Sequence, residues 1–169
     1  MSGLKPKKVS ESAVHDQTYK VFPNDLNSND TIFGGLLMSI IDRVALVVAE
    51  RHSERICVTA SVDSLHFLAP ARRGDILIFR AAINKSWTSS MEIGVRVLAE
   101  HYMTGSSKHI LSAYLTFVAV DDFLQPVPVP QVTPETPAER RRYEEAEIRR
   151  QRRKEEKEQR LRRRKELET

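Results

Sequence analysis

The sequence predicts an α+β fold in which a five-stranded antiparallel sheet wraps one long central helix, and two observations carry that expectation. The run Leu36 to Ala49 (LLMSIIDRVALVVA) is apolar on nearly every side when wound at 3.6 residues per turn, which marks a helix with most of its circumference covered. One strand-like segment precedes it, and four later segments with period-two alternation follow it on short or moderate links, so the strands pair antiparallel around the helix. A sheet of that size covers one side of a helix. The other side, and the long edge strands, call for a second copy, so a homodimer with a continuous sheet completes the fold.

Residues 1–17 have mixed charge and no period and read as a flexible lead-in. Thr18 to Phe22 (TYKVF) reads as a strand stopped by Pro23, and Asn24 to Asp30 is a loop of residues that hydrogen-bond their own backbone. The central helix opens at Gly34-Gly35 and ends near Glu50 to Ser53. Ile56 to Leu68 changes face midway: Ile56, Val58, Ala60 and Val62 share one side, whereas Leu65 and Phe67 fall on the other. Either a bulge near Asp63-Ser64 shifts the register, or both faces are buried in turn as the strand enters an interface.

Ala69 to Gly74 (APARRG) is a turn carrying Arg72 and Arg73. Three alternating strands follow. Ile76 to Asn84 turns Leu77, Phe79, Ala81 and Ile83 to one face; Met91 to His101 sets Met91, Ile93, Val95, Val97 and Ala99 against Glu92, Gly94, Arg96, Leu98 and Glu100; His109 to Val120 turns Leu111, Ala113, Leu115, Phe117 and Ala119 inward. These elements define a domain over 18–122. A proline-rich strap over 123–136 and a charged helical tail over 137–169 follow, the tail starting at Pro137.

The 169 residues, 40% hydrophobic and 7% aromatic, suit one soluble globular domain with an appendage. The single Cys57 excludes an internal disulfide and a cysteine-based zinc site, and it reads as a buried, inert thiol. No segment has the length and apolarity of a signal peptide or of a membrane span, so a cytoplasmic location is expected. Net charge is +4, and residues 137–169 supply it with 14 Lys and Arg against 9 Asp and Glu. Such a block resembles a nucleic-acid arm. Its interspersed acids, its single aromatic Tyr143 and the i, i+4 pairs Glu145–Arg149, Glu156–Arg160 and Glu158–Arg162 favour an exposed, charge-laced helix instead.

Asp42 is the one acid inside the apolar run, on a narrow stripe with Ser39 and Arg43. Three roles compete: an ion pair at a subunit contact, a metal ligand, or a catalytic carboxylate. No His or Cys lies at ligand spacing from it, and His15, His66, His101 and His109 are scattered over loops and strands, so no metal is expected. Gly34 and Gly35 sit where the first helical N–H groups are unpaired, a place where a ligand approaches closely and a developing oxyanion is stabilised.

The run from Pro23 to Asp42, with its D-x-N turn, I-F-G-G and L-M-S-x-x-D, resembles the hotdog-fold acyl-CoA thioesterases of the YciA and brain-type acyl-CoA hydrolase group. The similarity continues through Val58 to Asp63, Phe67, Arg72-Arg73-Gly74, Ser90 to Ile93, Phe117 to Asp121 and the strap, covering about residues 18–145. Many members of that group carry Gly where this chain has Asp30. The resemblance implies a five-stranded sheet around the helix, dimers with a joined sheet, and a trimer of such dimers. It implies hydrolysis of fatty acyl-CoA to free acid and CoA, with coenzyme A part of the substrate and no other cofactor. Asp42 becomes the catalytic carboxylate and Asn27 its partner, meeting across the dimer interface, while the Gly34-Gly35 N–H groups polarise the thioester carbonyl.

A thioester is electrophilic enough for a carboxylate and an oxyanion site to act without a Ser-His pair. Asp42 then serves either as general base toward water or as a nucleophile forming an anhydride. Thr59 and Ser90 are the hydroxyls expected near the substrate, Arg72 and Arg73 the cations for the CoA phosphates, and Met38 and Phe67 the walls of an acyl slot. Two rivals remain. A hotdog dehydratase needs a helix His paired with an acid, and here the only one is His52 at the helix end. A non-catalytic acyl-CoA sensor would keep the pocket and use the basic tail for a partner or nucleic acid.

Overall fold

The period-two and 3.6-residue patterns become, in chain order, β1 (Lys7–Lys8), β2 (Val14–Lys20), α1 (Gly34–Ser53), β3 (Ile56–Val62), β4 (Ile76–Ser86), β5 (Ser90–Glu100), β6 (Ser107–Val120), β7 (Val132–Thr133) and α2 (Pro137–Leu167). The computed structural model describes residues 3–63 and 65–167. Five strands form one antiparallel sheet in the order β2-β4-β5-β6-β3, and β1 pairs in parallel with β7. Every inward residue expected from the alternation of β4, β5 and β6 is buried against α1, which offers Leu37, Ile41, Val44, Ala45, Val48 and Ala49. These helix positions recur at three and four residues and make a single stripe. Met38 and Val47, on the far side, stay exposed, so within one chain α1 is covered on the sheet side alone.

Three elements depart from the sequence reading. The first strand starts at Val14, not Thr18, because His15, Asp16 and Gln17 have no apolar alternation to reveal it. Val14 pairs with Ala81 and Gln17 with Phe79 across an irregularity at which Asp16 takes a left-handed φ of 52°. Lys7–Lys8 is held by Val132–Thr133, and Val9 and Ser12 are buried, so the lead-in is structured from β1 onward. In β3 the register shifts between Thr59 and Ser61, ahead of the expected Asp63-Ser64; Ser64 itself lies outside the described residues. The strand ends at Val62, and the chain then follows β6 more loosely, with Leu68 N–H donating to Ile110 O at 2.9 Å.

The strap is extended and pinned: Val127 N–H donates to Ala119 O, Val129 N–H to Thr88 O, and the buried His52 donates Nε2–H to Pro130 O at 3.0 Å.

The largest difference concerns the charged tail, which is not an exposed or frayed helix over its first half. α2 lies across the outer face of the sheet. Arg149 reaches both oxygens of Glu92 (2.7 Å at the closest), Arg153 reaches Glu92 at 3.1 Å and Asp63 at 2.7 Å, and Asn84 donates Nδ2–H to Glu92 at 3.0 Å. Glu147 takes Lys85 at 2.9 Å and the Trp87 indole N–H at 2.9 Å. Arg149 stacks over Tyr114, and Arg150 over Trp87. The alternation of β5 puts Glu92 on the solvent face, and it does point outward, but α2 buries it completely. A carboxylate there requires such donors, because the desolvation of an unpaired ion costs several kcal/mol.

Of the three expected i, i+4 pairs only Glu145–Arg149 closes, at 3.8 Å. From Lys154 to Lys165 every side chain is exposed. Among the described residues no helix is long and apolar enough to cross a membrane.

Candidate active site

Asp42 sits at the edge of the buried stripe of α1, half-buried between the core and the uncovered flank. Thr59 stands on β3 in register with Phe117 and Met91, the row that faces α1, and donates its hydroxyl to Asp42 Oδ1 at 2.7 Å. Strand register therefore brings these two residues together. Among the described residues no cation lies within ion-pairing distance of Asp42, and Arg43 points into solvent. Among the described residues Oδ2 of Asp42 has no hydrogen-bond partner.

Asn27 organises the loop before the helix. Its Oδ1 accepts N–H from Asn29 at 2.9 Å and from Thr31 at 3.3 Å, and its Nδ2–H donates to Thr31 Oγ1 at 3.0 Å. This side-chain mimicry of a turn lets Asp30 adopt a left-handed φ of 54°, a conformation otherwise suited to Gly. Ile32 N–H then donates to Ala71 O, and Phe33 N–H to Asp25 O, which aims the chain into α1.

No side chain caps the start of α1, so its first N–H groups are open. Both glycines lie close to aromatic rings there. A Cβ on Gly35 would lie 2.5 Å from the Phe33 ring, and one on Gly34 would lie 3.3 Å from Phe67. A cavity of about 400 Å³ adjoins this helix end, lined by Asn27, Thr31, Gly34, Leu37, Phe67 and Ile110 among others. Phe67 lines this cavity, whereas Met38 lies outside it on the exposed flank of α1.

Arg72 and Arg73 are exposed in a turn that Asp75 holds: its Oδ2 accepts Arg72 N–H at 2.8 Å, and Gly74 has φ of 86°. Arg72 is bridged to Thr31, one residue along from the cavity-lining Ala71. Ser90 is apart from the others. It is in register with Val118 and Val58, the row on the opposite face of the sheet from Thr59.

Within one chain the structure thus makes two separate groupings: Asp42 with Thr59, and Asn27 with Gly34 at the cavity. Thr31, Leu37 and Ile110 were not singled out from the sequence. A hydroxyl four residues after Asn27 was the available signal for Thr31, while the other two look like any core residue.

Residues 29–106 match the thioesterase superfamily model. An uncharacterized acyl-CoA thioester hydrolase of Bacillus subtilis, YkhA, is 47% identical over 123 residues, covering 73% of this chain and 72% of that protein. The crystal structure of an acyl-CoA hydrolase from Staphylococcus aureus, in complex with butyryl coenzyme A, coenzyme A and coenzyme A disulfide, superposes with a TM-score of 0.87 at 38% identity, covering 96% of this chain and 99% of that one. The same enzyme was solved with alanine in place of one asparagine, one aspartate and one threonine, spaced 15 and then 17 residues apart. An apo-hexameric acyl-CoA thioesterase superposes with a TM-score of 0.87 at 38% identity, over 90% of this chain and 97% of that one. By fold, by the sequence shared with these hydrolases and by the length over which it is shared, the chain belongs to the hotdog-fold acyl-CoA thioesterase family.

Proposed function

We propose that the chain hydrolyses fatty acyl-CoA to free fatty acid and CoA, with Asp42 as the reacting carboxylate and each site assembled from two copies of the chain. The observation that carries this reading is the Asp42–Thr59 hydrogen bond on the uncovered flank of α1, beside the free edge of β3. Asp42 lies eight residues beyond Gly34, about 12 Å of helix rise. A base and an oxyanion site that act on one carbonyl both sit about 3 Å from the reacting atoms. The two groupings of a single chain are therefore too far apart to serve one thioester.

A second copy resolves the distance. β3 is an edge strand with Ile56 and Val58 exposed on the outer face and Val62 on the α1 side, and Met38 and Val47 are exposed on the uncovered flank of α1. Pairing two β3 edges about a two-fold axis would continue the sheet and set the helices side by side. Asp42 of one copy would then face the Asn27–Gly34 cavity of the other. Asn27, Asp42 and Thr59 are spaced 15 and 17 residues apart, the intervals of the three residues replaced in the Staphylococcus enzyme. The hexameric relative supports a trimer of such dimers.

In this reading the thioester carbonyl oxygen faces the N–H groups at Gly34 and Gly35, which stabilise the oxyanion. Thr59 fixes one oxygen of Asp42 and leaves the other for chemistry. Either that oxygen takes a proton from water as the hydroxide attacks the carbonyl carbon, or it attacks directly and water opens the resulting anhydride. Both routes break the C–S bond and release CoA thiolate. Asn27 orients the water or the carbonyl, Arg72 and Arg73 meet the CoA phosphates, and Phe67 walls the acyl slot. Ser90, on the other face of its own sheet, receives no role here.

Thiol release from a chain-length series of acyl-CoA esters tests the proposal, with Asp42→Ala run beside the parent at the same verified oligomeric state. Turnover by the parent and its loss in the assembled variant is the expected result. Binding of CoA esters by both without turnover by either would replace this reading with the acyl-CoA sensor.

A further inference from the structure

The outer face of the sheet carries a second cleft, of about 540 Å³, that shares no lining residue with the cavity at the start of α1. Arg80 and Arg96 rise from its floor directly opposite each other on β4 and β5, and Arg141 and Arg142 enter from α2. Like charges directly opposite on neighbouring strands are destabilising. Arg80 is partly compensated by Asp16 at 2.6 Å and Arg141 by Glu145 at 3.9 Å, Arg142 has the charge of Glu139 nearby, and Arg96 forms no ion pair among the described residues. Four guanidiniums here outnumber the carboxylates of Asp16, Glu145 and Glu139, a net positive charge that suits a diphosphate group.

The floor between them is left open by Gly94, where a Cβ would come within 2.9 Å of Asn84 Nδ2. Asn84 is buried, and its amide orientation is fixed by the bond from Nδ2 to Glu92. Its Oδ1 has no hydrogen-bond partner among the described residues, and Asn84 lines the cleft. An orphaned buried acceptor beside an arginine cluster calls for a ligand with a donor next to its anionic group.

We propose that this cleft binds a diphosphate group, held by Arg80, Arg96, Arg141 and Arg142, with Asn84 Oδ1 accepting a hydrogen bond from a hydroxyl or amine on the same ligand. The sheet separates it from Asp42, and α2 forms one of its walls, which gives the docked half of the charged helix a binding role.

The probes are inorganic pyrophosphate and ADP, titrated calorimetrically into the full-length protein against chloride of matched ionic strength. The parent is compared with the double variant Arg96→Gln, Arg142→Gln, whose fold is checked by elution volume and thermal midpoint without probe. Saturable binding by the parent, weakened at least about tenfold in the double variant, is expected from the loss of two charged hydrogen-bonding groups. Tighter binding of ADP would identify a nucleotide as the source of the diphosphate, and equal binding the inorganic ion; both uphold the cleft. Absence of saturable binding by the parent, or binding that the double variant leaves unchanged, overturns the proposal.

Discussion

A hydroxyl held 2.7 Å from a carboxylate on the open flank of a helix defines what single substitutions should do. Asp42→Ala is expected to lower kcat by about 10²- to 10⁴-fold, the range for loss of a positioned base, with KM nearly unchanged. Thr59→Ala should cost about tenfold through a less ordered carboxylate, and Thr59→Ser should restore most of it. Stability has its own titrating residue in His52. Burial holds its pKa below the ordinary 6.5, outweighing the Pro130 carbonyl that raises it, with Lys7 and Glu11 acting in opposite directions. A depressed folded pKa contributes stability above pH 6.5 that is lost as pH falls from there toward the folded pKa. Asp63, which burial raises above its ordinary 3.8, works in the opposite sense in more acidic solution. The difference in urea midpoint between parent and His52→Gln isolates the His52 part: the parent should lose stability relative to the variant below about pH 6.5. At this scale the sequence revealed Asp42, an acid alone in an apolar run, but not its link to Thr59. That link depends on which face of β3 turns inward ahead of its register shift, which the apolar residues of the strand do not reveal.

At the scale of elements, legibility followed periodicity. The inward faces of β4, β5 and β6 were readable because alternation records burial on one side of a strand, and all of those residues are buried. It does not record what covers the other side. Glu92 reads as solvent-facing until α2 is placed over it, and nothing in the charge pattern of 137–169 separates its docked half from its exposed half. Likewise His15 to Gln17 run beside β4 without an apolar signature, with Gln17 paired to Phe79 and Asp16 reaching Arg80. The covering helix makes a firm prediction. Glu92→Leu should destabilise the chain by about 3 to 5 kcal/mol, because Arg149 and Arg153, each about four-fifths buried, lose their shared acceptor. Equilibrium urea unfolding measures it, and a change below about 0.5 kcal/mol would show that α2 is not held through this cluster.

For the whole molecule, the sequence argues for a second copy because one sheet cannot cover both sides of a helix, and Met38 and Val47 on α1 and Ile56 and Val58 on the edge strand are exposed in the single chain. Val58→Glu at the free edge should dissociate the assembly and abolish turnover, although Asp42, Thr59 and Asn27 are untouched; sedimentation and activity should fall together. The most direct test of a site shared between copies mixes two inactive variants, Asp42→Ala and Asn27→Ala, after dissociation and reassembly. Random pairing yields heterodimers in half of the assemblies, each with one intact site, so about a quarter of parental activity should return. Activity that stays at the level of the separate variants, in mixtures shown to contain heterodimers, would contradict the shared site and place Asp42 and Asn27 in the same chain's chemistry.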